Sequence, residues 1–451
     1  MDSNLNRKYG LITAVAMVVG IVIGSGVFFK AEKVLDATGG NLPLGILAWV
    51  IGGAIMVICA YVFSIMATRY EYVNGIIDYA DVTMGKKYGY YIGWFMSIIY
   101  YPTLTAALAW VSARYTCVLF GFSIVGPEAL EITGFYFVAS FAINALSPVL
   151  AGKFQVTTTI IKLIPLFLMA VIGTIVGLST GMTVENFSTV TKQVSSGNAL
   201  FTAVVATAFA YEGWIIATCI NAEIKDSKRN LPRALVFGTL IVMATYILYY
   251  IGLSGAVEKE ALMKSGEKGA MLAFDALFTK VGGTALFVFV VISCLGTLNG
   301  LMLACTRGIY ALAARDKGPS PTIFKQIDKT TNMPANSAIL GLLISSIWLL
   351  YFYGSQLTKP WFGFFRFDMT ELPIITIYAA YIPIFVMFMV KEKTLSAFKR
   401  FVAPILAICG SLFMVFAACF AHKIEVVWYL ITFVVIMGIG VFFNKSNPSN
   451  Q

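Results

Sequence analysis

The sequence predicts an all-α protein that crosses the membrane many times, and its composition and charge distribution support this. The chain has 451 residues, of which 59% are apolar and 12% are charged. A soluble domain carries about twice that charged fraction. The formal net charge of +10 could point to nucleic acid. Because the basic residues gather in alternate loops, membrane topology explains the charge better, and we expect a lipid bilayer around the chain and no nucleic acid.

The cysteines predict neither a disulfide framework nor a metal site. They are scattered within apolar segments and form no C-x-x-C pair, so we interpret them as small buried hydrophobic residues. We accordingly expect no metal and no cofactor. The seven are Cys59, Cys117, Cys219, Cys294, Cys305, Cys409 and Cys419.

Twelve segments are long and apolar enough to span the membrane. A helix needs about 20 residues to cross about 30 Å of hydrocarbon. An even number of spans places both termini on the same side. The predicted spans are 10–38, 44–69, 88–120, 132–152, 155–179, 198–222, 233–255, 283–313, 336–354, 371–390, 401–421 and 425–443.

The loop charges predict that both termini are cytoplasmic. With the N-terminus inside, most of the 32 lysine and arginine residues lie in cytoplasmic loops, as the positive-inside rule requires. The first span follows Arg7 and Lys8, but its apolar run is long and no cleavage site follows, so it is not a signal peptide. We predict one membrane domain over residues 1–443 and a short cytoplasmic tail at 444–451, in the plasma membrane.

The sequence predicts the structure or location of two long loops. Residues 256–282 are too polar to span, and their apolar residues fall at roughly helical spacing, which favours an interfacial helix about equally with a plain surface loop. These apolar residues are Met271, Leu272, Phe274, Leu277 and Phe278. Residues 315–335 are polar, contain prolines and are typical of a cytoplasmic connector.

The first span contains a break at Gly24, Ser25 and Gly26. Glycine costs about 1 kcal/mol relative to alanine inside a helix, and serine competes for backbone hydrogen bonds. In a bilayer, unwound backbone is tolerated only where it is buried in protein or lines a cavity. The break therefore predicts a ligand site, with a packing-driven glycine kink as the alternative.

The sixth span is also interrupted, by a carboxylate and a glycine in Phe209-Ala-Tyr-Glu-Gly-Trp214. The first and sixth spans each open a set of five, and interrupted spans in corresponding positions of two halves indicate a transporter binding site. Hydropathy thus predicts two repeats, at 8–180 and 198–391, followed by two further spans within 399–443.

Several motifs in chain order resemble those of the amino acid–polyamine–organocation superfamily, within it the L-amino acid transporter branch, and most closely its bacterial alanine–serine–cysteine exchangers. The resemblance implies a LeuT-like fold of five-plus-five inverted repeats with unwound helices 1 and 6 and with helices 11 and 12 outside the core. The motifs are Gly20-Ile-Val-Ile-Gly-Ser-Gly-Val-Phe28, Phe209–Trp214, Glu223 with Lys228-Arg-Asn-Leu-Pro-Arg233, Gly296-Thr-Leu-Asn-Gly300 with Arg307, Ala314-Arg-Asp-Lys-Gly318, and Asn144, Gln155 and Lys162.

The chain departs from this family in three places. Tyr61-Val-Phe-Ser64 stands where relatives usually carry Tyr-Ala-Glu, and Glu212 occupies a position that is commonly glycine. Eukaryotic relatives join a glycoprotein through a cysteine between helices 3 and 4. The corresponding loop, Gly121–Thr133, has no cysteine, so we expect no disulfide-linked heavy subunit.

The breaks suggest how an α-amino acid is recognised. Freed N–H groups at Ser25 and Gly26 open the second half-helix, whose positive dipole end favours a carboxylate. The carbonyl groups of Val22 and Ile23, before Gly24, suit an α-ammonium group. Carbonyl groups near Phe209 and Ala210 supply the remaining acceptors, and Glu212 also belongs to the predicted substrate-binding set.

Other polar or aromatic residues near the breaks have open roles. The resemblance implies that Phe209 closes over substrate, although a plain core aromatic needs no function. Glu212 narrows the site, carries a proton or pairs structurally, at comparable odds. Asn299 and Thr103 either hydrogen-bond near the substrate or join helices. Arg69, Glu223 and Arg307 form an inner gate or, more simply, solvated helix ends.

Lys162 lies in the fifth span, where a charge is expensive and should face the bundle interior. Snorkelling to the cytoplasmic interface is the alternative. The resemblance places this lysine where sodium-coupled relatives hold a cation. We hypothesise sodium-independent transport, with the ammonium group bridging helix 5 to the first half-helix.

These observations together predict a secondary transporter that exchanges small neutral L-amino acids (alanine, serine, cysteine or glycine) by alternating access. A proton-coupled symporter using Lys162 or Glu212 is the alternative. An intramembrane enzyme is disfavoured because the single histidine, His422, lies at a helix end without an H-E-x-x-H motif. A channel would need a ring of charge or a filter motif, which the sequence lacks.

Overall fold

The computed structural model describes residues 10–70, 75–191, 196–216, 218, 224–331, 333–356 and 359–444, and helices account for most of them. Three π-helical segments, Met96–Tyr100, Met169–Gly173 and Phe398–Val402, interrupt the α-helices. The α-helices are α1 Leu11–Val22, α2 Gly26–Ala37, α3 Leu42–Arg69, α4 Ile76–Met84, α5 Lys86–Phe95, α6 Tyr101–Phe120, α7 Pro127–Leu146, α8 Pro148–Ile161, α9 Leu163–Leu168, α10 Thr174–Thr180, α11 Met182–Ser188, α12 Ser196–Ala210, α13 Ser227–Ala256, α14 Lys259–Ser265, α15 Gly269–Ala313, α16 Pro321–Phe324, α17 Ala335–Gln356, α18 Leu372–Lys391, α19 Ala403–His422 and α20 Ile424–Phe442.

The number of spans agrees with the prediction. In the described part of the chain, 11 helical runs are long and apolar enough to cross a membrane. The pair α1 and α2, bent by 41° at its break, makes a twelfth if it is counted as one span. The prediction of an all-α polytopic membrane protein is confirmed.

The loop at 256–282 is helical, as one of its two interpretations predicted. It contains α14, a short 3₁₀ turn at Gly266–Lys268 and the first two turns of α15. Phe278 and Thr279 then leave helical geometry, and Thr279 has a φ of 62°. The kink separates this short helix, with Phe274 fully buried, from the long span that follows. Its interfacial location stays a prediction.

The chain divides into two compact units, and each is discontinuous in sequence. One consists of Met1–Tyr79, Thr159–Ser293 and Ile374–Ala421. The other consists of Ala80–Thr158, Cys294–Pro373 and His422–Gln451. Both helix breaks predicted from the sequence belong to the first unit, which we call the break unit; the other is the second unit.

Small residues set the close helix packing of the break unit. α3 packs against α12 and α13, and a side chain at Gly52 or Gly53 would collide with Thr207 or Met243. α13 also approaches the π-helical segment Met169–Gly173. A Cβ atom on Gly255 would lie 2.5 Å from the carbonyl oxygen of Gly173. Backbones that approach this closely gain dispersion contacts, which drive helix association in lipid.

A group of polar contacts joins residues 186–191 to α14, and we call it the 186–191 clasp. Lys259 is 1% exposed, and its Nζ donates hydrogen bonds to the carbonyl oxygen of Asn186, at 3.1 Å, and to the hydroxyl of Thr189, at 2.6 Å. Thr191 donates through its hydroxyl to Oε1 of Glu260 at 2.6 Å. The backbone N–H of Thr191 donates to the carbonyl of Gly39, just after α2, at 3.1 Å. The clasp thus ties the far end of α2 to α14.

Candidate functional site

The first helix breaks where the Gly-Ser-Gly sequence predicted it. α1 ends at Val22, and Ile23 takes an extended conformation with φ −69° and ψ 110°. α2 begins at Gly26, and the side chain of Ser25 caps none of its first N–H groups. These leading N–H groups have no partner within their own helix. The backbone at residues 23–25 is therefore unwound while its surroundings are buried.

The sixth span breaks at the predicted place too. α12 ends at Ala210, residues 211–213 form a turn, and a 3₁₀ turn follows at 214–216. Gly213 has a φ of +105°, a conformation that residues with a side chain rarely adopt. The glycine therefore permits the turn, and the prediction that helices 1 and 6 are unwound is confirmed.

The two breaks lie against each other inside the break unit. A Cβ atom on Gly26 would lie 2.5 Å from the Cα of Ala210, so the two backbones touch there. A Cβ on Gly213 would lie 3.3 Å from the carbonyl oxygen of Ile21. Each break thus meets the helix end beside the other, which brings backbone donors and acceptors from both into one buried site.

The last carbonyl groups of α1 already have partners. The N–H of Ile23 donates to Val19 at 2.8 Å, and the hydroxyl of Tyr246 on α13 donates to Val22 at 3.2 Å. Nζ of Lys162 donates to the carbonyl of Gly20. Because a carbonyl oxygen has two lone pairs, Val22 retains capacity to accept from a ligand ammonium group.

Lys162 lies inside the protein and bridges two helices. It is fully buried between α8 and α9, and its bond to Gly20 joins this junction to α1. Thr159, three residues earlier, also packs on Gly20, with its Oγ1 3.0 Å from where a Cβ would stand. This geometry fits the bridge proposed from the sequence, and the snorkelling alternative does not fit a fully buried side chain.

Ser25 carries a buried hydroxyl at the centre of the site. The residue is 1% exposed, and its Oγ has no hydrogen-bond partner among the described residues. An unpaired buried hydroxyl costs free energy. A ligand carboxylate at the start of α2 would accept from this hydroxyl and from the adjacent backbone N–H groups.

Aromatic residues form the surroundings of the second break. Phe209 is 8% exposed, and its ring centroid lies 5.2 Å from Nζ of Lys30 on α2. The hydroxyl of Tyr211 donates to the carbonyl of Trp49 on α3 at 2.9 Å. The rings of Tyr211 and Tyr246 lie 5.3 Å apart. Tyrosines from α13 and the turn thus hold both breaks in place.

The carboxyl group of Glu212 is buried, with 8% of the residue exposed. It interacts electrostatically with Cys59 on α3 and Tyr378 on α18. These neighbours belong to the helices packed around the turn. The role of Glu212 stays a prediction.

Both the oxygen and the nitrogen of the Asn299 side-chain amide are hydrogen-bonded within the second unit. This fits the alternative in which Asn299 joins helices. Its Oδ1 accepts from Asn144 at 2.9 Å, and its Nδ2 donates to the carbonyl of Ala151 and to Oε1 of Gln155, both at 3.2 Å. Thr103 is fully buried and donates to Tyr100 within its own helical run at 3.1 Å.

Both described arginines of the suggested inner gate contact other side chains. Arg69 lies 3.6 Å from Oε2 of Glu392 and donates to the hydroxyl of Thr394 at 2.8 Å. A guanidinium nitrogen of Arg307 lies 3.9 Å from the sulfur of Met333. Glu223 lies outside the described residues. No cluster of three or more His, Cys, Asp or Glu suited to a metal occurs in the described part of the chain.

Sequence reasoning missed the residues that support the breaks from neighbouring helices. Tyr246 belongs to a run of tyrosines on α13, and Lys30 is one of four charged residues in α2, with Glu32, Lys33 and Asp36. The charge of Lys30 was a usable signal because a lysine within a membrane helix is expensive. The apolar context of Tyr246 offered no comparable signal.

The fold and the two meeting breaks are typical of a secondary transporter with interrupted helices. A family model described as Amino acid permease matches residues 9–442. The chain therefore belongs to the amino acid permease family, and the resemblance found in its motifs is confirmed.

Individual relatives agree with this family. The chain is 29% identical over 420 residues to the serine/threonine exchanger SteT of Bacillus subtilis, covering 92% of this chain and 91% of SteT. It is 26% identical over 354 residues to the human b(0,+)-type amino acid transporter 1, covering 77% and 71% of the two chains.

A solved structure confirms the LeuT-like fold. The crystal structure of MhsT in complex with L-phenylalanine matches with a TM-score of 0.58 at 14% identity, over 94% of this chain and 98% of MhsT. At this identity the match concerns the fold alone.

Proposed function

We propose that this protein is a secondary transporter that exchanges small neutral L-amino acids by alternating access. The observation that carries the proposal is the contact between the two helix ends that adjoin the breaks, Gly26 of α2 and Ala210 of α12. Backbone at membrane depth that is not hydrogen-bonded within a helix is tolerated only where protein or a cavity surrounds it. Two unwound segments whose helix ends touch offer backbone groups of both polarities to one zwitterion.

The N-terminal end of α2 would bind the α-carboxylate. Its first N–H groups carry partial positive charge, and the hydroxyl of Ser25 is buried without a partner in the described structure. The carbonyl groups of Val22 and Ile23, together with those of Phe209 and Ala210, would accept from the α-ammonium group. All α-amino acids share these two groups, so the side chain must be selected by the surrounding walls.

Two observations support a preference for substrates with small neutral side chains. They are the name of one relative and the crowding of the site by aromatic residues. SteT is named a serine/threonine exchanger. Here the site is crowded by Phe209 and Tyr246, both of which are nearly or fully buried. Alanine, serine, cysteine and glycine are the substrates that we propose.

Transport is proposed to be independent of sodium because of Lys162. Its buried ammonium group donates to the carbonyl of Gly20, in the helix that ends at the first break. A fixed positive charge there repels a second cation and satisfies a carbonyl oxygen that a cation would otherwise bind. The same bond ties the fifth span to the first.

A proton-coupled symporter is the second candidate, and the burial of Glu212 favours it. Burial makes the charged form of a carboxyl group costly relative to its protonated form, so a buried glutamate is suited to carrying a proton. Protonation of Glu212 during the cycle would couple substrate movement to a pH gradient.

We propose that the protein lies in the plasma membrane with both termini in the cytoplasm and without a disulfide-linked heavy subunit. The basic residues of alternate loops support this orientation. The 121–133 loop, which has no cysteine, supports the last point. The repeats at 8–180 and 198–391, and accessory helices at 399–443, remain part of this proposal.

Uptake of radiolabelled L-alanine into proteoliposomes tests these statements together. Exchange requires internal amino acid, so loaded vesicles should take up label and empty vesicles should not. Replacing external sodium by choline should change nothing. Uptake into empty vesicles driven by a pH gradient would support the proton-coupled candidate, and a rise with sodium would contradict the role given to Lys162.

A further inference from the structure

We propose that Lys30 is a positioning residue that holds the ring of Phe209 over the substrate site through a cation–π contact. The inference rests on the proposed function, because it concerns how that site closes. Lys30 touches Phe209, so it acts on the substrate through this ring.

The position of Lys30 follows from the helix that carries it. Lys30 lies four residues after Gly26 and so shares its face of α2. Gly26 packs against Ala210. One turn further along α2, Nζ of Lys30 lies 5.2 Å from the ring centroid of Phe209. The same helix face thus makes both the backbone contact at the break and the cation contact above it.

The energetics of this lysine argue for a specific role. Its side chain is fully buried, and a buried charged group in a membrane helix is costly. An aromatic ring attracts a cation to its face, and this attraction grows when water is excluded. The Phe209 ring offsets part of the cost of burying Lys30.

The contact joins the two half-helices that border the site. α2 starts immediately after the first break, and Phe209 is the penultimate residue of α12, immediately before the second. In the orientation predicted from the loop charges, both half-helices lie on the outer side. The contact between Lys30 and Phe209 therefore fixes the ring beside the site, and its loss should weaken apparent binding of external substrate.

A series of ring-fluorinated phenylalanines at position 209 tests the contact directly. Fluorine keeps the ring nearly the same size but weakens the negative potential of its face. With Lys30 present, the external KM for L-alanine exchange should rise steadily with each added fluorine, by roughly threefold to tenfold across the series. In a Lys30→Met background the same series should give a flat KM.

Two control variants separate this effect from misfolding. Lys30→Arg keeps a cation and should retain the fluorine dependence. Lys33→Met alters an exposed lysine three residues further along α2 and should leave KM and melting temperature unchanged. A flat fluorine series with Lys30 intact, or an equal slope in Lys30→Met, would overturn the inference. Absence of exchange in the unmodified protein would instead overturn the proposed function.

Discussion

The hydroxyl group of Tyr246 donates a 3.2 Å hydrogen bond to the carbonyl of Val22, the last residue of α1. The same hydroxyl interacts with the backbone N–H of Gly24. α13 thereby holds the unwound segment from one side, while Lys162 holds Gly20 from another. The first break is thus fixed by side chains from two other spans, so its shape does not depend on its own sequence alone.

Replacing Tyr246 with phenylalanine should weaken substrate binding without unfolding the protein. The variant removes the hydroxyl group, and losing its hydrogen bond to Val22 costs about 0.5–1.5 kcal/mol net. We expect the KM for external L-alanine to rise roughly threefold to tenfold in an exchange assay. Tyr249→Phe is the matched control, because that buried hydroxyl has no hydrogen-bond partner in the described structure. An equal rise in both variants would contradict a specific role for Tyr246.

Gly26→Ala should strongly impair exchange, because the new methyl group would stand 2.5 Å from the Cα of Ala210. A backbone atom cannot move aside as a flexible side chain does, so the two half-helices must separate. We expect a loss of at least about tenfold in exchange rate and a destabilisation of about 1–3 kcal/mol. The measurements are exchange in proteoliposomes and thermal unfolding in detergent.

Gly134→Ala provides the control for this variant. Gly134 lies within α7, and a Cβ there meets no other atom within 4 Å. Alanine should be neutral or slightly stabilising at that helical position. Full activity of Gly26→Ala would show that the two breaks do not need their close contact.

The sequence predicted the breaks because their residues disfavour a membrane helix. Gly24–Gly26 interrupts an otherwise apolar span, and Gly213 follows a carboxylate at a similar depth. That these segments touch followed only from the correspondence of the two halves. The residues that hydrogen-bond to the breaks could not be predicted from the local sequence, because they are distant along the chain. Tyr246 and Val22 are 224 residues apart.

Buried polar residues make different kinds of contact in the structure, and composition alone does not predict which kind each residue makes. Lys162 and Asn299 both lie within apolar spans, and each had a local alternative. The fully buried ammonium group of Lys162 touches the helix of the first break, whereas the amide of Asn299 bonds only to its own unit. Which role holds depends on the neighbouring helix, and hydropathy does not reveal that neighbour.

Lys162→Met should remove most exchange activity while leaving the protein folded. Methionine fills a similar volume but cannot donate to Gly20, so the end of α1 loses its tie to the fifth span. We expect at least a tenfold lower exchange rate at saturating substrate. Lys153→Met, at an exposed position on α8, should behave like the unmodified protein. Normal exchange by Lys162→Met in sodium-free buffer would contradict the proposed role.

Asn299→Leu should lower stability and leave substrate affinity unchanged. The substitution removes three hydrogen bonds and leaves buried partners unsatisfied, which costs about 2–4 kcal/mol in total. Thermal unfolding in detergent measures the loss, and the KM of the remaining active protein is measured in parallel. Asn198→Leu, at an exposed position, should cost no more than about 0.5 kcal/mol. A raised KM with an unchanged melting temperature would instead assign Asn299 to the substrate site.

The 186–191 clasp should make stability depend on pH in the acidic range. The hydroxyl of Thr191 donates to Oε1 of Glu260, and this hydrogen bond is the main cause that lowers the pKa of Glu260 below its ordinary value of 4.5. A carboxyl group whose pKa is lower in the folded state stabilises the fold fully above its unfolded pKa. That contribution is lost as the pH falls through the folded pKa.

Thr191→Val should therefore lower the melting temperature at pH 7 by about 1–2 °C. Below about pH 4.5 the melting temperatures of the variant and the unmodified protein should approach each other. Thr202→Val is the control, because the exposed Thr202 hydroxyl donates only to the carbonyl of Asn198 in its own helix. Its effect should be the same at every pH. Melting curves recorded from pH 3 to pH 7 compare the two variants, and a pH-independent difference for Thr191→Val would show that Glu260 does not take part.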